Sequence, residues 1–224
     1  MNANVYTPDR RPLGARNWNA SRTATKWLAA HGVAPNVISL SGLLASLGAG
    51  SMMAATGVSD RTALLLVAAC ALIIVRGMCN MLDGMVAVST GKASRGGELF
   101  NEVPDRLSDA VTLVGAGYAI GGMPELGYIA ALSALFTAYV RVQGCSLGTR
   151  ADFRGPMAKT QRMFVVITAA LYTAFAPASW QRAAAIVPHV GVMALALTVI
   201  IAGCAVTALR RLRRAAQFLA EEQR

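Results

Sequence analysis

Long apolar runs alternate with short polar ones along this chain, and the longest polar stretch has apolar runs on both sides. Residues 36–59 carry no charged side chain, which suffices for a helix crossing a bilayer in about 20 residues. A second run goes from Thr62 into Asn80, interrupted only by Arg76. Four more follow: Leu107–Met123, Leu126–Val140, Met163–Trp180 and Ala183–Leu209. The third and fourth are short as uncharged runs, so their helices are expected to extend into polar flanks. The pattern predicts an all-α, polytopic membrane protein with six transmembrane helices. Ahead of them, Ser21 is expected to cap a short helix ending at Ala30, with Gly32 as its stop and Pro35 beyond. Trp18, Trp27 and Leu28 beside Arg22 and Lys26 mark this as an N-terminal amphipathic helix lying in the membrane interface.

Composition agrees, since 55% of the 224 residues are hydrophobic and only 14% are charged. A net charge of +10 raises the question of nucleic acid, but the positions of the charges answer it otherwise. With the N-terminus inside, the cytoplasmic parts carry every Lys and Arg outside the spans except Arg61 and Arg182. The positive-inside rule is then satisfied with both termini cytoplasmic. Arg210, Arg211, Arg213 and Arg214 belong to the same signal, and no nucleic-acid partner is needed to explain them. Residues 1–20 read as a polar basic tail without the apolar core of a signal peptide, 21–214 as one domain, and 215–224 as a C-terminal tail. Cys70, Cys79, Cys145 and Cys204 are scattered and form no CxxC pair, so they read as small core residues, not as disulfides or a zinc site. His31 and His189 stand alone. Gly117 and Gly121 form a GxxxG, and Gly42, Ala45, Gly48 and Gly50 line the first span. Packing within the chain is the first reading of such small residues; a homodimer face is the weaker one.

The polar stretch is Asn80 to Asp109, and five of the eleven acids fall within it: Asp83, Glu98, Glu102, Asp105 and Asp109. Asn80 and Asp83 are three apart; Asn101, Asp105 and Asp109 follow at steps of four. On helices these spacings stack side chains on one face, and two such faces would collect carboxylate and carboxamide oxygens in one pocket. Hard divalent cations such as Mg²⁺ take such ligands, usually together with substrate phosphates. Gly84 removes a side chain where a nucleotide or another backbone needs room. The plainer alternative is that these groups cap helix ends, but so many acids beside long apolar helices are costly without a partner. The loop between the fourth and fifth spans places Arg141, Arg150, Arg154, Lys159 and Arg162 on the same side of the membrane. Acids able to hold a metal and bases able to hold phosphate suit phosphoryl transfer, although the bases also satisfy the positive-inside rule alone.

These residues resemble the CDP-alcohol phosphotransferases, whose signature is DxxDGxxAR, a spacer, then GxxxDxxxD. The matching string here is Asn80, Asp83, Gly84, Ala87, Gly97, Asn101 and Asp105. APNVISLSG, at residues 34–42, and GPMAKTQR, at 155–162, are similar to two further conserved stretches of that family, so the resemblance runs from about Ser21 to the last span. It implies an enzyme of the cytoplasmic (inner) membrane, with its site facing the cytoplasm, that uses Mg²⁺ or Mn²⁺. Its metal ligands would be Asn80, Asp83, Asn101 and Asp105, with Asp105 also the general base. Asp83, Gly84 and Ala87 would meet the nucleotide, and Lys159, Arg141 and Arg162 the phosphates of lipid or acceptor. The implied reaction moves a phosphatidyl group from CDP-diacylglycerol to a small alcohol with release of CMP. Two alternatives stand beside it: a CDP-linked polar alcohol donating to diacylglycerol, and a non-catalytic lipid- or nucleotide-binding protein.

Three departures matter. The first and third motif aspartates are Asn80 and Asn101 here, and the arginine after the motif alanine is Val88. The paired Asn exchange marks a branch of the family. Four formal negative charges become two, which weakens a two-metal cluster. Glu98, Glu102 and Asp109 stand near enough in sequence to restore charge, and Lys92 or Arg95 to replace the arginine. Pro104 lies between Asn101 and Asp105, removes one helical hydrogen bond and is expected to kink the helix there.

Overall fold

The computed structural model describes residues 14–92, 95–177, 179–180 and 190–222, with the side chains of Ala15, Arg95, Glu98 and Glu222 outside the description. Most of the expected N-terminal tail, the compensation expected of Glu98 and Arg95, and the single His189 therefore lie outside the described residues, as does Arg182. After a short 3₁₀ turn at Gly14–Asn17 come α1 (Asn19–Ala30), α2 (Pro35–Ala55), α3 (Thr62–Ser89), α4 (Arg95–Tyr118), α5 (Pro124–Ser146), α6 (Lys159–Phe175) and α7 (Val192–Glu222). No strand occurs among the described residues.

Helices stand at all six positions that the apolar runs predict. Four of them, Pro35–Ala55, Thr62–Ser89, Pro124–Ser146 and Val192–Glu221, are long and apolar enough to cross a membrane. Several of the expected boundaries shift, the last helix running on from Leu209 to Glu222 and the second from Asn80 to Ser89. The third uncharged run begins at Leu107, and its helix extends into the polar flank as expected, since α4 starts at Arg95. The last run was expected from Ala183, whereas α7 is described from Val192. Large apolar side chains such as Leu44, Leu64, Leu132 and Phe164 are exposed on these helices, as lipid-facing residues must be. The molecule is a multi-pass membrane protein.

The start of α1 also differs from expectation. Trp18 is the N-cap residue and makes no side-chain cap bond, while Ser21 is buried inside the helix, where its carbonyl accepts from Thr25 Oγ1 at 2.8 Å. The expected stop holds: Gly32 adopts φ 67°, a conformation that glycine takes without strain, and its N–H closes on Ala29 O. The GxxxG does not form a helix face, because α4 ends at Tyr118 and Gly121 lies in the following turn with φ 69°.

The chain divides into two compact units, Met1–Ser46 with Ile74–Ser108, and Leu47–Ile73 with Asp109–Arg224. The first is notable for a polar interior: Ser39, Arg76, Asp83 and Ser108 are all buried there. The second holds the apolar core. Its members include Met53 and Leu66, Leu113, Ala130 and Ala134, Val166, and Met193, Leu197 and Ile200. Within it α5 and α6 both pack against α7. Small residues permit this closeness, as they must where no hydrophobic effect drives helices together in lipid. A Cβ on Gly115 would collide with the backbone of Gly50, and one on Gly117 would lie 2.9 Å from the Gly127 Cα. The glycines thus pack within the chain.

Two polar clusters tie the second unit together. Arg162, on α6, is buried and donates from Nη2 to Asp109 Oδ2 at 2.7 Å and from Nη1 to the Met157 carbonyl at 3.1 Å. In the 147–158 connection, Asp152 accepts from the Arg154 backbone N–H at 2.9 Å and pairs with Arg214 at 2.7 Å. Burial pulls the Asp152 carboxyl up, but the N–H and guanidinium of Arg154, with the charge of Arg214, outweigh it and hold the group below its ordinary range. All four cysteines are free thiols; Cys70 and Cys204 are core residues, while Cys145 is exposed instead of packed inside.

Candidate active site

Within the first unit, three helices contribute to one open cleft with about 190 Å³ of space between them, part of it open to solvent. Ser39 and Gly42 come from α2, Arg76, Asn80 and Asp83 from α3, and Asn101, Pro104, Asp105 and Ser108 from α4. The α3 set lies at steps of four and three, and so do Asn101, Asp105 and Ser108 of the α4 set with Pro104 beside them, so each helix turns one narrow polar stripe towards the cleft. Gly42 lets α2 approach α3: a Cβ there would stand 3.1 Å from the Cys79 Cβ. Pro104 sits inside α4 and withholds an N–H from the helix ladder beside the site.

Asp83 is 2% exposed. Ser39 Oγ donates to its Oδ2 at 2.7 Å, and the Gly84 N–H donates to its Oδ1. Ser39 Oγ also stands 3.5 Å from Asn101 Oδ1, which places it between the two groups, although its one proton is given to Asp83. Asp105 is held differently. Asn80 Nδ2 donates to its Oδ1 at 2.6 Å, and Arg76 Nη2 stands 3.4 Å from the same oxygen and 3.2 Å from the Asp105 carbonyl. Arg76 is 4% exposed, an arginine enclosed within a helix that is otherwise apolar to its N-terminal side.

Of the five groups singled out by spacing, Asn80, Asp83, Asn101 and Asp105 are brought together in the cleft and Asp109 is not among its lining residues. Gly84 and Ala87 follow on α3, both half-buried. Glu102 and Asp109 are each committed to an arginine: Glu102 pairs with Arg106 one turn on, and Asp109 with Arg162 in the second unit. Of the bases, Arg162 is spent on that ion pair. Arg141 lies over the Phe153 ring at 5.1 Å from its centre, and Lys159 is the half-buried first residue of α6; all three belong to the second unit.

Sequence reasoning missed Ser39 and Arg76. Ser39 sits in the APNVISLSG string but has no sequence-local partner, and Arg76 passed as an interruption of a span. The available signal for Arg76 was its position, one turn before Asn80 in an intramembrane run, where a charged side chain is costly unless it has a task.

The cleft offers carboxylate, carboxamide and hydroxyl oxygens. Among the described residues no group of three or more His, Cys, Asp or Glu side chains comes together. Two carboxylates with carboxamide oxygens nevertheless fit a hard cation such as Mg²⁺ or Mn²⁺, which also takes oxygens from substrate phosphates.

This all-helical arrangement is a known one. The fold matches the crystal structure of Mycobacterium tuberculosis phosphatidylinositol phosphate synthase with CDP-DAG bound, at a TM-score of 0.71 and 19% identity over 88% of this chain and 94% of that one. The same enzyme in complex with manganese and citrate matches with a TM-score of 0.70 and 19% identity, over 87% and 88%. Among curated proteins, the chain is similar to two archaetidylinositol phosphate synthases. That of Pyrococcus horikoshii is 27% identical over 151 residues, 66% of this chain and 75% of the relative. That of Aeropyrum pernix is 33% identical over 134 residues, 59% of this chain and 64% of the relative. No family model matches the chain.

Proposed function

We propose that the chain is a membrane-embedded CDP-alcohol phosphotransferase that moves a phosphatidyl group from CDP-diacylglycerol to a small alcohol. The observation that carries the reading is the meeting of Asp83, Asn101, Asn80 and Asp105 in one cleft. The similarity to two archaetidylinositol phosphate synthases and to the fold of a third phosphate-lipid synthase supports the same chemistry.

In this reading Asp105 accepts the proton of the acceptor hydroxyl. The acceptor oxygen then forms a bond to the phosphatidyl phosphorus, the bond from that phosphorus to the bridging oxygen breaks, and CMP leaves with the bonding pair. Asn80 and Arg76 orient the Asp105 carboxylate through the contacts described above. Asp83 and Asn101, with Ser39 between them, together with the oxygens of Asn80 and Asp105, are the groups that would hold Mg²⁺ or Mn²⁺. A bound divalent ion supplies charge neutralisation for the pyrophosphate. Gly84 and Ala87 leave room for the nucleotide. Lys159 and Arg141 are assigned to phosphate by the likeness of their loop to the family, and Arg162 holds that loop through Asp109 and the Met157 carbonyl.

The remaining parts of the reading concern the membrane. All six long helices cross the bilayer, α1 lies in the interface with Trp18 and Trp27 exposed, and both termini face the cytoplasm of the inner membrane. The distribution of Lys and Arg supports that orientation.

The test is CMP release by the purified protein from CDP-diacylglycerol with Mg²⁺ or Mn²⁺ across a panel of acceptors, inositol phosphate and glycerol phosphate first. Metal-dependent release with one acceptor is expected. Its absence with every acceptor, from folded protein, overturns the reading; release from a CDP-linked polar alcohol with diacylglycerol would reverse donor and acceptor. Lys159→Ala is expected to raise the acceptor's KM more than it lowers kcat.

A further inference from the structure

The cleft is lined by two carboxylates, Asp83 and Asp105, and one guanidinium, Arg76, so its formal charge is −1. One divalent ion brings it to +1, a field suited to a pyrophosphate. A second would bring it to +3 before substrate arrives, at close range, where like charges repel. The two acids also differ in company. Asp83 meets a hydroxyl and an amide N–H, while Asp105 meets the guanidinium of Arg76 and the carboxamide nitrogen of Asn80. The cationic partner that an enclosed carboxylate needs is therefore already supplied to Asp105 by the chain. Arg76 is the counterpart in this balance: 4% exposed, within a helix that is apolar on its N-terminal side, with Nη2 3.4 Å from Asp105 Oδ1. A buried arginine there is costly unless its charge is used.

We infer that Arg76 is a positioning residue that stands in for a second cation, so that the cleft takes a single divalent ion, on the Asp83–Asn101 side. The inference rests on the functional reading above for the presence of a metal, and on the contacts of Asp105 for its number.

Mn²⁺ binding, read by the electron paramagnetic resonance of the free ion during titration of purified, metal-stripped protein without substrate, tests it. One Mn²⁺ per chain is expected. Arg76→Gln removes a positive charge and is expected to bind Mn²⁺ about tenfold tighter or to admit a second ion, while Arg76→Lys keeps the wild-type count and affinity. An arginine that only supported the fold would lower affinity when removed, so the sign of the change separates the two roles. If Arg76→Gln does not yield a monodisperse folded protein, Asn80→Asp makes the same change of one charge unit with Arg76 in place, and tighter binding is again expected. Two ions of similar affinity in the wild type, no bound ion, or unchanged or weaker binding in the folded variant overturns the inference. Because the count is read without turnover, one bound ion in a protein that releases no CMP would overturn the functional reading alone. Turnover with two bound ions would overturn this inference alone.

Discussion

Asn80 gives its carboxamide nitrogen to the Asp105 carboxylate at 2.6 Å, so the side chain standing where a related signature carries an acid is a donor to its neighbour instead of a repelling charge. Two ionised carboxylates at that separation would each raise the other's cost of ionisation unless a cation lay between them. The hydrogen bond removes that conflict and lets the pair stand in the fold without help.

Asn80→Asp should therefore make stability depend on metal. In the presence of EDTA the variant is expected to lose about 1–3 kcal/mol, the range for a disrupted buried polar contact, and to recover most of it with Mn²⁺. Thermal unfolding with and without the ion reads this directly; equal losses in both conditions would show that the hydrogen bond does not control the charge balance.

Asp105→Asn is expected to lower CMP release by about 10²–10⁴-fold, the usual contribution of a general base. The fold should survive, because the carboxamide oxygen still accepts from Asn80 and Arg76. Retained turnover in the folded variant would remove Asp105 from the base role.

The Asp109–Arg162 pair, at 2.7 Å with both partners about 3% exposed, should behave as a buried ion pair. Asp109→Leu leaves the Arg162 charge uncompensated and should cost about 3–5 kcal/mol. Asp109→Leu with Arg162→Met should regain most of that loss. A double-mutant cycle on thermal unfolding gives the coupling, and additive losses would mean that the pair is not a unit.

Acid should act through Asp152. Its folded pKa lies below the ordinary 3.8, so its contribution is fully present above the unfolded value and is lost as pH falls through the folded one. Stability should decline from about pH 4 downward, and Asp152→Asn should flatten that part of the curve. The melting temperature between pH 3 and 7 is the measurement; an unchanged acid limb in the variant would assign the decline to other carboxylates.

Much of the site was legible because it is written in local spacing. Asn80 and Asp83 share a turn, as do Asn101 and Asp105, and helical geometry does the rest. Ser39 was not legible, since its partner Asp83 is 44 positions away and periodicity carries no information across helices. Nor was the fate of Arg162. A base in a cytoplasmic loop suits phosphate, lipid headgroup or a buried acid equally well, and only packing decides. How far α4 would extend into its polar flank was not legible for a related reason: hydropathy measures preference for lipid, whereas the helix there continues with a polar stripe that faces the cleft.

Arg76 also bears on how the protein is made. A span that carries an arginine enters the bilayer against a penalty that reaches about 2.5–3.5 kcal/mol on the translocon scale at a helix centre, which the apolar remainder of α3 must outweigh. Its acidic partner lies on the next helix, synthesised 29 positions later. Until α4 arrives the guanidinium has no Asp105 to meet, so biogenesis and assembly of the cleft are one event. A chain that misplaces α4 would keep an unmatched charge in the membrane, a defect that quality-control machinery can recognise before any substrate is bound.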